Sequence, residues 1–260
     1  MFRSLNVAAT GMVAQETKLD TIANNLANAN TIGFKRQDAE FEDLLYQTVR
    51  APAARASGAQ PSAGVQVGLG TRVVATPKHF TQGVLQQTGN KYDMAVEGEG
   101  LLTVLRDNGQ VAYTRTGSLK LDAQGRLVTI EGHALEPPIN VPPDAVSVAV
   151  APDGQVSAMQ PGQTVATQLG QLQLAMFPNT SGLNSIGHNL YEATQASGEA
   201  RIGIPGTEGR GTLLQGSLEG SNVEAINEMI GLIRTQRAYE INSKIIATAD
   251  EMLRDATHLR

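Results

Sequence analysis

Leu5, Met12, Leu19 and Leu26 recur every seven residues at the front of the chain, and Leu232, Tyr239, Ile246 and Leu253 do the same at its back. Sustained seven-residue apolar spacing keeps one stripe of an α-helix turned toward a partner helix. The pattern predicts long amphipathic helices over residues 1–29 and 221–258. The front seam is flanked by Phe2, Ala9 and Ala23 on one side and by Ala8 and Ile22 on the other, with Gln15 and Glu16 interrupting the flanks. The back helix carries a second stripe, Val223, Ile226, Ile230 and Ile233. A helix that is apolar on two stripes touches more than one neighbour. Ser221 and Asn222 fit its N-cap, with Glu224 in its first turn.

Between these helices the period falls to two. Residues 101–105 and 111–114 flank Asp107-Asn108-Gly109, a strong hairpin turn. Residues 119–121 and 127–130 flank Asp122-Ala123-Gln124-Gly125, and Val146, Val148 and Val150 alternate before Pro152-Asp153-Gly154. Leu172, Leu174 and Met176 alternate again. Antiparallel sheet or barrel structure is the prediction for this region. Residues 51–64 are rich in Ala, Pro, Ser and Gly and almost free of large apolar side chains, which predicts a flexible or extended linker. The fold class is therefore α+β, with terminal helices pairing as a coiled-coil-like domain around a β-rich middle. The expected boundaries are an N-terminal helix in 1–34, a linker with an extended segment in 35–80, the β-rich domain in 81–220 and a C-terminal helix in 221–260.

Composition narrows the function. Aromatic residues make up 4% of the chain, with no Trp, so one compact globule has few large anchors, while 27 Gly and 11 Pro suit a turn-dense middle. A net charge of −5 argues against nucleic acid, whose phosphates call for a basic surface. No apolar run reaches the roughly 18 residues of a membrane helix, and the front of the chain lacks the pattern of a cleaved signal peptide. The absence of Cys excludes disulfides and thiolate chemistry. His79, His133, His188 and His258 are scattered in sequence without a companion at metal-ligand spacing. Gly98-Glu99-Gly100 opens like a dinucleotide fingerprint but has Thr103 at the third glycine and precedes a strand. Glu97 and Glu99 lie at strand spacing, and neither is placed for acid–base work. The expectation is a protein that is no enzyme and holds no cofactor or metal.

The run Asn24-Asn25-Leu26-Ala27-Asn28-Ala29-Asn30-Thr31-Ile32-Gly33-Phe34-Lys35 holds more Asn than a helix stop requires. It resembles the N-terminal hallmark of the bacterial flagellar rod and hook proteins. Ser221-Asn222-Val223 and the run Gln236-Arg237-Ala238-Tyr239-Glu240-Ile241-Asn242-Ser243-Lys244 are similar to the family's C-terminal hallmark. Gly98-Glu99-Gly100-Leu101-Leu102 and Tyr113-Thr114-Arg115-Thr116-Gly117 resemble the start of its β-domain, with Leu101 and Leu102 where aromatic residues are common. Within the family, Gln66-Val67-Gly68-Leu69-Gly70-Thr71 and Arg237-Ala238-Tyr239-Glu240 are most similar to members of the distal rod. The motif residues carried over are Asn24, Asn25, Asn28, Asn30, Gly33, Gln236, Arg237 and Asn242.

The resemblance implies a structural subunit that polymerises helically into the flagellar drive shaft, with terminal helices lining the central channel. Another axial protein, of the proximal rod or hook, is the alternative. Self-assembly would run through Leu5, Met12, Leu19, Leu26, Ile226, Leu232, Ile233, Tyr239, Ile246 and Leu253. The implied partners are further copies of the chain, proximal rod and hook proteins at the ends, the surrounding P and L ring bushing, and the flagellar type III export apparatus. The implied place is the periplasmic rod reaching the outer membrane, without nucleic acid and outside the bilayer, after export with no cleaved signal.

Overall fold

The computed structural model describes residues 2–50, 64–163 and 165–258. The structure is α+β and divides into two compact units. One comprises residues 1–26, 37–77 and 224–260; the other comprises 27–36 and 78–223.

The first unit holds two helices, α1 (Phe2–Ala27) and α2 (Ala225–His258). They run antiparallel. Asn25 donates from Nδ2 to Glu228 Oε2 at 3.3 Å, Ile22 Cδ1 lies 3.4 Å from where a Cβ of Gly231 would stand, and Asn242 Nδ2 lies 3.0 Å from where a Cβ of Gly11 would stand. As α1 is followed forward, its partners step backward along α2. The most deeply buried positions are Ala8, Ala14, Thr21, Ile22 and Asn25 on α1, and Glu228, Thr235 and Ala249 on α2. Leu5, Met12, Leu19, Leu26, Leu232, Ile246 and Leu253 are half-buried beside them, and Tyr239 is exposed. Gly11 and Gly231 leave room at two of these contacts for the side chains of Asn242 and Ile22. Asn222 does not cap α2, which begins three residues later; its side chain is engaged elsewhere, as described below.

Residues 35–80, expected as a linker with an extended segment, contain four short strands in the first unit. Glu40–Asp43 pairs with Thr71–Ala75, and Tyr46–Arg50 pairs with Val65–Gly68, both antiparallel. The β-branched and aromatic residues Tyr46, Thr48, Val49, Val65 and Val67 supply the strand propensity that Ala- and Pro-rich flanks lack. The linker expected at 51–64 falls, except for Gly64, outside the described residues.

The second unit is the β-rich body. A nine-stranded antiparallel sheet is organised around Leu101–Leu105, which pairs with Val111–Thr114, with Ala134–Leu135 and with Leu174–Met176. The hairpins expected at 107–109 and 122–125 form. Arg106 N–H donates to Gln110 O at 2.9 Å, Gly109 supplies the positive φ of 77° the turn requires, and Leu119–Leu121 pairs with Leu127–Thr129. Ser147–Val150, Gln155–Met159 and Thr167–Gln171 make a separate three-stranded sheet. Asp122 and Asp153 close their turns by accepting backbone N–H bonds from residues two further on, at 2.9 and 3.0 Å.

Alternation decides the core. Leu102 and Val104 face the main cluster with Met94, Leu127, Ile139 and Leu213, while Leu101 turns to the opposite face. There it joins Tyr113, Ala175, Phe177 and Tyr191. The sparse aromatics concentrate on this second face, where Tyr113 meets Phe177 and Phe80 meets Tyr191 in edge-to-face pairs with centroids 4.8 and 5.0 Å apart. Among the described residues no helix is long and apolar enough to cross a membrane.

Candidate functional site

The chain passes between the two units at 26/27, 36/37, 77/78 and 223/224. Three of these crossings lie in or next to the sequence motifs. The motif residues on the second-unit side converge on one buried carboxylate.

After α1 ends, Asn28 O accepts from Thr31 N–H at 3.1 Å, and its Oδ1 accepts from the Thr31 hydroxyl at 3.1 Å. The turn delivers Gly33 with φ +69°, where its N–H donates to the backbone carbonyl of Glu219 at 2.8 Å. A Cβ there would lie 2.8 Å from Thr116 Oγ1 and 2.9 Å from the Thr116 nitrogen, so both conformation and space require glycine. The carbonyl of Ile32 accepts from Thr116 Oγ1 at 3.3 Å and from Asn189 Nδ2 at 3.1 Å.

Two residues further, Lys35 is wholly buried. Its ammonium donates to Glu219 Oε1 at 2.6 Å and to the carbonyl of Thr81 at 2.7 Å. Glu219 Oε1 also accepts the Gly83 N–H at 2.8 Å, and Oε2 accepts from Arg115 Nε. The Arg115 guanidinium fans out to the carbonyls of Val96 at 2.9 Å, Gly98 at 2.6 Å and Gly100. Burial holds the Lys35 ammonium below the ordinary lysine value, and attraction to Glu219 offsets only part of that. Asn222 completes the arrangement. It accepts the Arg36 N–H at 2.7 Å and donates to the carbonyl of His79 and the hydroxyl of Thr81, both at 2.8 Å.

In the first unit, Asn25 brackets the next residue of the chain. Its Oδ1 accepts the Gln37 N–H at 3.0 Å, its Nδ2 donates to Gln37 O at 2.7 Å, and the same amide reaches Glu228. Asn25 and Glu228 are both buried. Asn242 packs half-buried against Gly11, while Asn24, Asn30, Gln236 and Arg237 are exposed.

Sequence reasoning singled out Asn and Gly in these motifs and missed the charges. Lys35 and Arg115 stand inside quoted motifs and Glu219 lies two residues before Ser221, but the three are separated by 80 to 184 residues. A charge directly after a large apolar residue, Lys35 after Phe34 or Glu219 after Leu218, was the available signal. The histidines are also less scattered than their spacing suggests. His188 Nδ1 lies 2.6 Å from Glu131, and His133 Nε2 lies 3.7 Å from it. Among the described residues no group of three or more His, Cys, Asp or Glu could hold a metal ion. The arrangement fixes backbone; nothing in it presents a reactive group to solvent.

The same segments carry the similarity to known proteins. Residues 5–35 match the family described as flagella basal body rod protein, 95–158 match the flagellar hook protein FlgE/F/G D1 domain, and 214–259 match the flagellar basal body rod FlgEFG protein C-terminal family. All three belong to hook and rod proteins, a class of structural subunits. The chain is 46% identical to the flagellar basal-body rod protein FlgG of Buchnera aphidicola subsp. Schizaphis graminum over 261 residues, covering all of both chains. It is 47% identical to the FlgG of Agrobacterium fabrum over 252 residues, 96% of each. Similarity to the flagellar basal-body rod protein FlgF of Caulobacter vibrioides falls to 34% over 261 residues, 98% of this chain and 97% of that one. The chain belongs to the flagellar basal-body rod protein family. It is a structural subunit of the distal rod.

Proposed function

We propose that this subunit works by polymerising helically through its terminal helices into the rigid shaft that carries torque from motor to hook. The observation that carries the reading is an apolar stripe on α2 left open in a single copy. Ile226, Met229, Ile230 and Ile233 are 69%, 48%, 44% and 49% exposed. Full burial of one such side chain stabilises by about 1.5–3 kcal/mol, so a neighbouring copy that covers this stripe gains a strong contact. Leu5, Met12, Leu19, Leu26, Leu232, Tyr239, Ile246 and Leu253 flank the antiparallel contact of α1 and α2. They give a second helix pair somewhere to pack in coiled-coil fashion. The clasp around Glu219 supports the same reading, because a shaft under torque needs chain crossings fixed by buried bonds.

On this reading the further partners are proximal rod and hook proteins at the ends, the P and L ring bushing around the shaft, and the type III export apparatus that delivers the chain. The place is the periplasm up to the outer membrane, reached without a cleaved signal. Negative-stain imaging of concentrated, purified chain tests it. Filaments are expected from the parent, and Ile230→Asp and Ile233→Asp should abolish them with unchanged circular dichroism. Filaments of normal yield from both variants would refute the proposed interface.

A further inference from the structure

The second unit contains a cavity of about 410 Å³ beside the clasp, walled by Phe80, Leu101 and Phe177 and lined also by Lys78 and Ser181. Lys78 is the unusual member. Its ammonium stands over two aromatic faces, 5.1 Å from the Tyr191 ring centroid and 5.8 Å from that of Phe34. Among the described residues no carboxylate pairs with it, including Glu99, which lines the same cavity. Burial depresses its pKa from the ordinary lysine value. Beneath it, the Tyr191 hydroxyl is buried without a hydrogen-bond partner. A half-buried cation, held over aromatic rings and facing a cavity with both apolar and polar walls, suits an anion that arrives with an apolar side chain.

The chain itself offers that combination. Leu45 is 85% exposed, the highest value among the large hydrophobic side chains described. Asp43, two positions earlier, is exposed as well. The segment leads from the strand Glu40–Asp43 into Tyr46–Arg50, so it is held by pairing on both sides. Asp43 on a second copy would bring to Lys78 the opposite charge that no described carboxylate supplies, two positions from an exposed apolar side chain.

We propose that this cavity receives a second copy of the chain, with the Asp43 carboxylate pairing with the Lys78 ammonium and Leu45 filling the space between Phe80 and Phe177. The proposal rests on self-assembly and adds a lateral contact distinct from the helices.

The chain has no cysteine, so single thiols report contacts without background. Ser181 Oγ lies 3.4 Å from the Lys78 carbonyl and its side chain is exposed, which makes Ser181→Cys a mild probe of the cavity rim. Equal amounts of Ser181→Cys and Leu45→Cys chains are mixed, polymerised and gently oxidised. The expected product is a mixed disulfide between the two positions, identified by mass spectrometry, in polymer and absent from dilute monomer. In parallel, Lys78→Met, checked by circular dichroism, should lower polymer yield about tenfold. That corresponds to about 1.4 kcal/mol per contact. A well-formed polymer lacking the disulfide overturns the proposal and leaves helix-driven assembly standing. So does normal polymer from Lys78→Met, which would assign the cavity to another occupant. A parent chain that never polymerises overturns both readings.

Discussion

Replacing Glu219 by Gln tests the buried clasp with almost no change in volume. The carboxylate accepts from Lys35, from the Gly83 N–H and from Arg115, with Lys35 and Glu219 fully buried and Arg115 4% exposed. A glutamine retains one acceptor oxygen. If that oxygen keeps Lys35 and Gly83, its amide NH₂ faces the Arg115 Nε–H, donor against donor. Two buried cations then share no counter-charge. Removing one partner of a buried pair costs about 3–5 kcal/mol, a large part of the roughly 5–15 kcal/mol that holds a typical domain folded. For a unit of this size each kcal/mol lowers the melting temperature by about 2–4 °C, so a drop of about 6–20 °C is expected. Lys35→Met should cost less, about 1–3 kcal/mol, because Glu219 keeps Arg115 and Gly83 and charge stays balanced. Urea unfolding followed by far-ultraviolet circular dichroism reads both variants, since the chain lacks Trp. A Glu219→Gln protein within about 1 kcal/mol of the parent, or one less damaged than Lys35→Met, would refute the reasoning.

Gly33→Ala should destabilise more than Gly109→Ala in the same assay. Both force a positive φ, but only at Gly33 does the new methyl strike the backbone of Thr116, so a difference of at least about 1 kcal/mol is expected. Asn25→Ala removes both hydrogen bonds that bracket Gln37 and should cost about 1–3 kcal/mol, read as faster limited proteolysis near residues 36–38. The pH dependence follows from burial. Lys35 and Lys78 are held below their ordinary value of 10.5, so between the lowered values and 10.5 the unfolded chain binds protons the folded chain has lost, and stability climbs as pH rises. Burial raises Tyr113 and Tyr191 above 10.0, so beyond that point the folded chain holds protons the unfolded chain has lost, and stability falls. Melting temperatures from about pH 8 to about pH 11 should rise and then fall, and Lys35→Met should flatten the rising limb. An unchanged limb in that variant would show that Lys35 is not its source.

What the sequence determined by itself were periods and turns, features whose cause is local. The seven-residue spacing marked α1 and α2, because helical periodicity is written into consecutive residues. The Asp- and Gly-bearing turns at 107–109 and 122–125 marked their hairpins, because a turn needs particular residues at fixed offsets. Its motifs were enough for a likeness to the family. Three things were decided only when distant segments met. The helices touch through Gly11, Ile22, Asn25, Gly231 and Asn242, and these contacts join segments more than 200 residues apart, so the spacing within either helix does not name them. Strand pairing joined Tyr46–Arg50 to Val65–Gly68, on either side of the expected linker at 51–64, because a ladder forms between two segments and neither one alone announces it. And the meeting of Lys35, Arg115 and Glu219 follows from topology alone: a charge in sequence has no sign of its partner until the fold removes water from around both.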